Sequence, residues 1–311
     1  MPVTPAVIPE SIRSHAGLVD CPASVYPQGS RVKILHSIPN TSRFCRAAAR
    51  PLVLVPTMGA LHAGHVALLR RARRIAGAEG SVVASIFVNP AQFGPNEDFA
   101  RYPRPFAGDR KVCAEHGVNA IFQPTTEAMY RADHSTWVNE EFVSGPWCGA
   151  ARPGHFRGVC TVVLKLFTIT QPDVAVFGHK DFQQCMVIQR MVRDLNMPVR
   201  IVPVETVRER DGLALSSRNA YLTPDERAQA PALRQALLAA RAAFRRGVTD
   251  AEKLRRLAIQ IIGNASLARI DYVEVADGAS LAPVVAATRR SVIALAVFFG
   301  KTRLIDNIRL A

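Results

Sequence analysis

The stretch LVLVPTMGALHAGHVALLRRARRIA, residues 52–76, decides the fold. Leu52-Val53-Leu54-Val55 is apolar at every position, the pattern of a parallel strand covered on both faces. From Val66 onward the apolar residues Val66, Leu69, Ala72, Ile75 and Ala76 fall at helical spacing, which leaves the arginines between them in water. The linking PTMGALHAGH therefore occupies the turn from a strand into its helix. In open α/β sheets ligands bind outside the carboxyl ends of the strands, and the unpaired N–H groups of a helix N-terminus favour anions. Gly59 and Gly64 let the main chain approach a phosphate. His62 and His65, three apart, share one face of the first helical turn and can donate hydrogen bonds as charge builds on a transferring group.

Other readings of the same turn remain open at this point. An H-x-x-H pair can bind a metal, although no third ligand stands at a convincing spacing. It can also be a plain structural turn. It is not a P-loop, because G-x-x-x-x-G-K-[ST] is absent.

Outward from this turn, further apolar runs alternate with helical patterns: Ser81 to Val88, Val118 to Phe122, Asp173 to Phe177 and Val199 to Val204. They predict a doubly wound α/β unit with a parallel sheet. Helices are expected over Val159 to Thr170, stopped by Gln171-Pro172, and over Phe182 to Leu195. After about residue 206 the texture changes. Thr223, Pro224 and Glu226 form a capping-box signature for an Ala/Leu/Arg-rich helix, and Ile270 to Val275 and Val292 to Phe298 predict strands of a smaller α+β unit. The expected boundary between the doubly wound unit and the smaller α+β unit falls between residues 206 and 207. No internal repeat, heptad run or low-complexity tail interrupts this organisation.

Two further polar segments follow strands. Asn89-Pro90-Ala91-Gln92-Phe93-Gly94 comes after the second of these runs, and Gly178-His179-Lys180-Asp181-Phe182-Gln183-Gln184 after the fourth. Three strand ends thus converge on one rim, where Lys180 can neutralise phosphate and Asp181 can hold it or a ribose hydroxyl. The amides of Gln92 and Gln184 can read carboxylate and hydroxyl groups.

Composition narrows the class. The chain of 311 residues is 49% hydrophobic and 21% charged, ordinary for a globular protein, and no run approaches the roughly 18–20 apolar residues of a membrane span. The N-terminus lacks a basic region followed by an apolar core, so a cytoplasmic protein is expected. Cysteines 21, 45, 113, 148, 160 and 185 form no C-x-x-C pair and read as reduced thiols. The net charge of +14, carried by 33 Arg against 6 Lys, suits anionic small molecules or nucleic acid alike. Against nucleic acid stand the absence of an RRM, KH or zinc-finger signature and an aromatic content of only 7%.

Several blocks in a fixed order carry a resemblance: PTMGALHAGH (56–65), FVNPAQFGPNEDFARYPR (87–104), CGAARPGHFRGVCTVVLKLF (148–167), VFGHKDFQQCMVIQRMVRDLN (176–196), LALSSRNAYL (213–222) and RLIDNI (303–308). From about residue 30 to 311 the chain resembles the pantoate:β-alanine ligases. The resemblance implies an N-terminal extension over 1–30 outside the matched region, a nucleotidylyl-transferase-type Rossmann-like domain over 31–206, a smaller C-terminal α+β lid domain over 207–311 closing over the site, and a homodimer. It implies ligation of pantoate and β-alanine with ATP, giving AMP and pyrophosphate with Mg²⁺. The family's ATP contacts fall on Met58, Gly59, Ala60, Leu61, His62, Ala63, Gly64 and His65, on Gly178, His179, Lys180 and Asp181, and on Val207, Leu215, Ser216, Ser217 and Arg218. Pantoate contacts fall on Gln92 and Gln184, with Gln92 also reaching β-alanine. The catalytic histidine falls on His65, and His62, Lys180, Ser216, Ser217 and Arg218 offset charge on the departing pyrophosphate.

Some positions depart from the family's commonest pattern. His179 stands where Glu or Gln is frequent, and Leu215 where Met is. Where the family often has paired acidic residues helping with metal, this chain has Gly108 and a single Asp109, so Asp109 is the candidate Mg²⁺ ligand. The runner-up is another adenylyltransferase of the same fold, with a phosphate-ester acceptor in place of an amine.

Overall fold

A computed structural model describes residues 32–95 and 97–311; the expected N-terminal extension over 1–30, and Cys21 within it, lie outside the described residues. The parallel sheet contains β1 (Lys33–Leu35), β2 (Leu52–Thr57), β3 (Ser81–Ile86), β4 (Ala120–Phe122), β5 (Val174–Gly178) and β6 (Arg200–Val204), ordered β1-β4-β3-β2-β5-β6. Every pairing in it is parallel. The apolar run after Pro51 forms the sheet's interior: Leu52, Val53, Leu54 and Val55 are all fully buried. Because strand side chains alternate, Leu52 and Leu54 join the core beneath the helix His155–Thr170, while Val53 and Val55 join the core beneath the helix Ala63–Ala76.

The helix expected over Val159 to Thr170 begins earlier, at His155, because Gly154 adopts φ +80° and turns the chain into it. It ends at Gln171 as Pro172 requires. The helix expected over Phe182 to Leu195 spans Phe182–Asp194. β1, at three residues, is too short to show a periodicity in the sequence. The run expected over Ser81 to Val88 stops at Ile86, and Phe87 and Val88 lead into the Asn89 loop.

Beyond β6 the Thr223–Glu226 capping box forms in both directions, with the Glu226 N–H on Thr223 Oγ1 at 3.3 Å and the Thr223 N–H on Glu226 Oε2 at 2.9 Å. The expected single helix is two, Pro224–Gln229 and Ala232–Arg245, split at Pro231. They and the helix Ala251–Gly263 accompany an antiparallel sheet, β7 (Ala268–Asp277), β8 (Ser291–Phe299) and β9 (Thr302–Arg309). Val273, Val275, Ile293, Leu295 and Val297 pack under those helices, whereas Ala276, Val292 and Ala294 join the core of the first unit. β8 is therefore buried on both faces, and β9 lies where it can touch the rim of the parallel sheet. Among the described residues no helix is long and apolar enough to cross a membrane. Cys45, Cys113, Cys148, Cys160 and Cys185 are free and buried.

Candidate active site

β2 and β5 are neighbours in the sheet, yet the chain leaves β2 toward β3 on one side and β5 toward β6 on the other. That reversal is the switch point at which open α/β sheets form a crevice. The PTMGALHAGH turn follows β2 and the GHKD segment follows β5, so both stand on this crevice. A cavity of about 240 Å³ there is lined by Met58, His62, Gly64 and His65, by Gly178, Lys180 and Asp181, by Gln92 and Gln184, and by Val207, Leu215, Ser216, Ser217 and Arg218. Its apolar wall comes from Phe87, Val159, Val162, Val163, Leu166 and Phe177. A larger cleft of about 1140 Å³ shares Arg152, His155, Lys180 and Arg218 with it and runs on to Tyr272 and Arg303 of the antiparallel sheet.

His62 is the N-cap of the helix Ala63–Ala76 and His65 its third residue. The Gly64 N–H donates to Nδ1 of His62 at 3.1 Å, and the His62 N–H donates to Nδ1 of His65 at 3.2 Å. A backbone N–H can only donate, so each Nδ1 carries a lone pair and each neutral ring carries its proton on Nε2. Burial, then the charge of Lys180, lowers the His62 pKa to about 4; burial, then His62 and Lys180, lowers that of His65 to about 3. Both rings, 4.2 Å apart between centroids, are neutral donors at pH 7.

Asp109, the candidate Mg²⁺ ligand, braces the turn through its side chain. It is 2% exposed, and its two carboxylate oxygens accept from the Ala60 N–H at 2.9 Å and the Leu61 N–H at 2.7 Å. Gly59 takes φ +84° beside it, and a Cβ there would stand 2.9 Å from Asp109 Oδ2. The carboxylate thus satisfies two amides that the turn would otherwise leave unpaired. Gly59, Ala60, Leu61, Ala63 and His179 do not line the cavity. The His179 ring lies against Phe182, with Nδ1 at 3.7 Å from Glu205.

Gln92 is held by residues from three separate segments of the chain, Asn89, Tyr130 and Arg152–His155. Tyr130 Oη donates to Asn89 Oδ1 at 2.8 Å, and Asn89 Nδ2 donates to Gln92 Oε1 and to Gly158 O, both at 3.1 Å. With Oε1 engaged, Gln92 presents Nε2 to the cavity, where it meets Met58 Sδ at 3.2 Å. The Gln92 carbonyl takes Nδ1 of buried His155 at 2.8 Å and the Arg152 guanidinium at 3.2 Å; Arg152 also pairs with Glu97. The RPGHFRG segment at 152–158 was visible as a block, but nothing local in it announces a carbonyl 60 residues from Arg152. Across the cleft Arg218 pairs with both oxygens of Asp98, at 3.1 and 2.9 Å.

Fold and site together define a nucleotide-binding α/β enzyme of the nucleotidylyl-transferase type. The model of the family described as pantoate-beta-alanine ligase matches residues 32–309, and the chain belongs to that family. It is 50% identical over 280 residues to the pantothenate synthetase of Thermotoga neapolitana, covering 89% of this chain and 99% of that protein. A crystal structure of pantothenate synthetase from Thermus thermophilus superposes with a TM-score of 0.84 at 44% identity, covering 90% of this chain and 99% of the other. A second, the pantoate-beta-alanine ligase of Francisella tularensis complexed with beta-gamma ATP and beta-alanine, gives 0.73 at 32% identity over 90% and 98%. The protein is a ligase.

Proposed function

We propose that the protein joins pantoate to β-alanine with ATP through a pantoyl adenylate, releasing pyrophosphate and then AMP. A carboxylate does not form an amide with an amine at neutral pH, because oxide would have to leave; adenylation supplies a better leaving group. In this reading the pantoate carboxylate lies on Gln92 Nε2 and Gln184, and its two methyl groups face the wall of Phe87, Val159, Val163 and Phe177. The carboxylate attacks the α-phosphorus in line. Lys180, the Nε2–H groups of His62 and His65, Ser216, Ser217 and Arg218 offset the charge that moves onto the pyrophosphate. The β-alanine amine then attacks the adenylate carbonyl and AMP departs. No protein nucleophile is needed.

The observation that carries this reading is that neutral imidazole donors and Lys180 line the same cavity as the amides of Gln92 and Gln184. Phosphate-reading and carboxylate-reading groups thereby face one another. The ATP and β-alanine named for the Francisella tularensis structure support the same substrates here.

No cluster of three or more potential metal ligands occurs among the described residues, so a protein-built Mg²⁺ cage is absent there. Of the acidic groups at the rim, Glu97 is paired with Arg152 and Asp98 with Arg218, and Asp109 is engaged by amides. Two carboxylates line the cavity, Asp181 and Glu205; Glu205 is almost fully exposed and lies 3.7 Å from His179 Nδ1, which leaves Asp181 as the one suited to an ion that keeps most of its coordination from phosphate oxygens and water. Mg²⁺ held there would neutralise phosphate charge.

The test is product analysis with pantoate, β-alanine and ATP. Pantothenate and AMP in equal amounts support the proposal. ADP with inorganic phosphate would replace the adenylate by an acyl phosphate, and no amide at all would overturn the ligation.

A further inference from the structure

The RLIDNI block near the C-terminus has no part in the chemistry above. It forms most of β9, and its side chains reach back to the first unit. Asn307 is 7% exposed, and its Nδ2 donates to the carbonyls of both His179, at 3.1 Å, and Lys180, at 3.0 Å. Carbonyls only accept, so the amide nitrogen must face them. Two residues on, and therefore on the same face of the strand, the Arg309 guanidinium lies 5.6 Å from the centre of the Phe182 ring. On the opposite face Asp306, 3% exposed, takes both terminal nitrogens of Arg208, at 2.6 and 2.9 Å. Arg208 belongs to the loop in which the Leu215 N–H donates to the Val207 carbonyl at 3.0 Å, and Val207 and Leu215 both line the cavity.

We propose that Asn307 is a positioning residue for Lys180, fixing from the second domain the backbone that aims the Lys180 ammonium at the triphosphate. This rests on the proposed ATP site. The physical argument is one of freedom removed. A lysine has four side-chain torsions, and its ammonium is placed only as well as its own peptide. His179–Asp181 is a single short turn between β5 and the helix Phe182–Asp194, with no side-chain cap at its start. Asn307 supplies two donors to two consecutive carbonyls of that turn, and no other side-chain bond of this kind from the second domain reaches it among the described residues. The second domain thereby sets the phosphate-binding group, as well as covering the cleft.

The test is a double-mutant cycle on ATP binding, read by titration calorimetry, together with the KM of each substrate. Asn307→Ala is expected to weaken ATP binding about tenfold and to raise the KM for ATP while leaving that for β-alanine within about twofold. Asn307→Asp, which has the same shape but sets a carboxylate against two carbonyls, is expected to lose at least as much. In a Lys180→Ala background, Asn307→Ala is expected to cost less than about twofold more. Asn307→Ser keeps one donor and is expected to recover part of the loss; it replaces Asn307→Ala in the cycle if that variant does not fold. Additive losses in the cycle, or equal rises in the KM of all three substrates that follow a lowered Tm, would overturn the proposal and make Asn307 a staple between domains. Wild-type protein that binds no ATP would instead contradict the function proposed above.

Discussion

The His62 N–H donates to Nδ1 of His65 at 3.2 Å, so the first histidine of the turn fixes which nitrogen of the second carries its proton. The Gly64 N–H does the same for His62. Each ring is oriented by main chain, where many active sites use a carboxylate for that purpose. A neutral Nε2–H donor follows on each ring, and at His62 burial and the charge of Lys180 outweigh the opposing pull of Asp181.

The pH dependence follows in sign. Both pKa values lie below the ordinary 6.5, at about 4 for His62 and about 3 for His65, so the fold favours the neutral rings. Adenylate formation is expected to show no loss from imidazole protonation between pH 8 and about pH 5. On the stability side the unfolded chain takes up protons first, so stability contributed by these rings, and by His155 with its pKa near 4, is lost as pH falls from 6.5 through about 4 for His62 and His155 and on through about 3 for His65. Histidine NMR titration checks the values; rings titrating near 6.5 would contradict them.

His65→Ala is expected to slow adenylate formation by at least about tenfold to a hundredfold, the scale of a lost transition-state donor. Rapid-quench measurement of AMP-anhydride formation reads it directly. An unchanged rate in folded protein would remove His65 from the chemistry.

Asp109→Asn separates bracing from metal binding. One of two accepting oxygens becomes an NH₂ group facing an amide N–H, which is expected to cost about 1–3 kcal/mol of stability. The Mg²⁺ concentration giving half-maximal rate is expected to stay where it is. A shifted Mg²⁺ dependence with an unchanged Tm would return Asp109 to the metal.

Gly158→Ala tests how Gln92 is seated. A Cβ at this helical position would stand 2.7 Å from the Gln92 nitrogen and closer still to the Ala91 carbonyl. Relief requires the Asn89–Gln92 turn to move off the helix His155–Thr170, at about 1–3 kcal/mol. The KM for pantoate is expected to rise several-fold; thermal melting and pantoate saturation curves that match wild type would show that the turn tolerates the shift.

The legible parts of this protein were those written in local periodicity or in contiguous motif. Leu52 to Val55 and the helix after it could be recognised because burial on both faces, and then on one, leaves different spacings. The same holds for the Thr223–Glu226 capping box, whose partners are three residues apart. Hidden parts depend on contacts between distant residues. Asp109 meets Leu61 across 48 residues and Asn307 meets His179 across 128, and no spacing rule connects a side chain to a backbone group that far away. The amides that Asp109 accepts from are invisible in one dimension. His179 sat in the right segment, but the turn of the chain after β5 sends its ring toward Phe182 and leaves Lys180 and Asp181 on the cavity.

In the proposed reaction one cavity activates a carboxylate by adenylation before any amine is present. Isotope exchange between pyrophosphate and ATP, with pantoate and Mg²⁺ supplied and β-alanine left out, tests it most directly. Exchange is expected to depend on pantoate and to fall sharply in His65→Ala. Folded protein that catalyses no exchange under these conditions would contradict the adenylate.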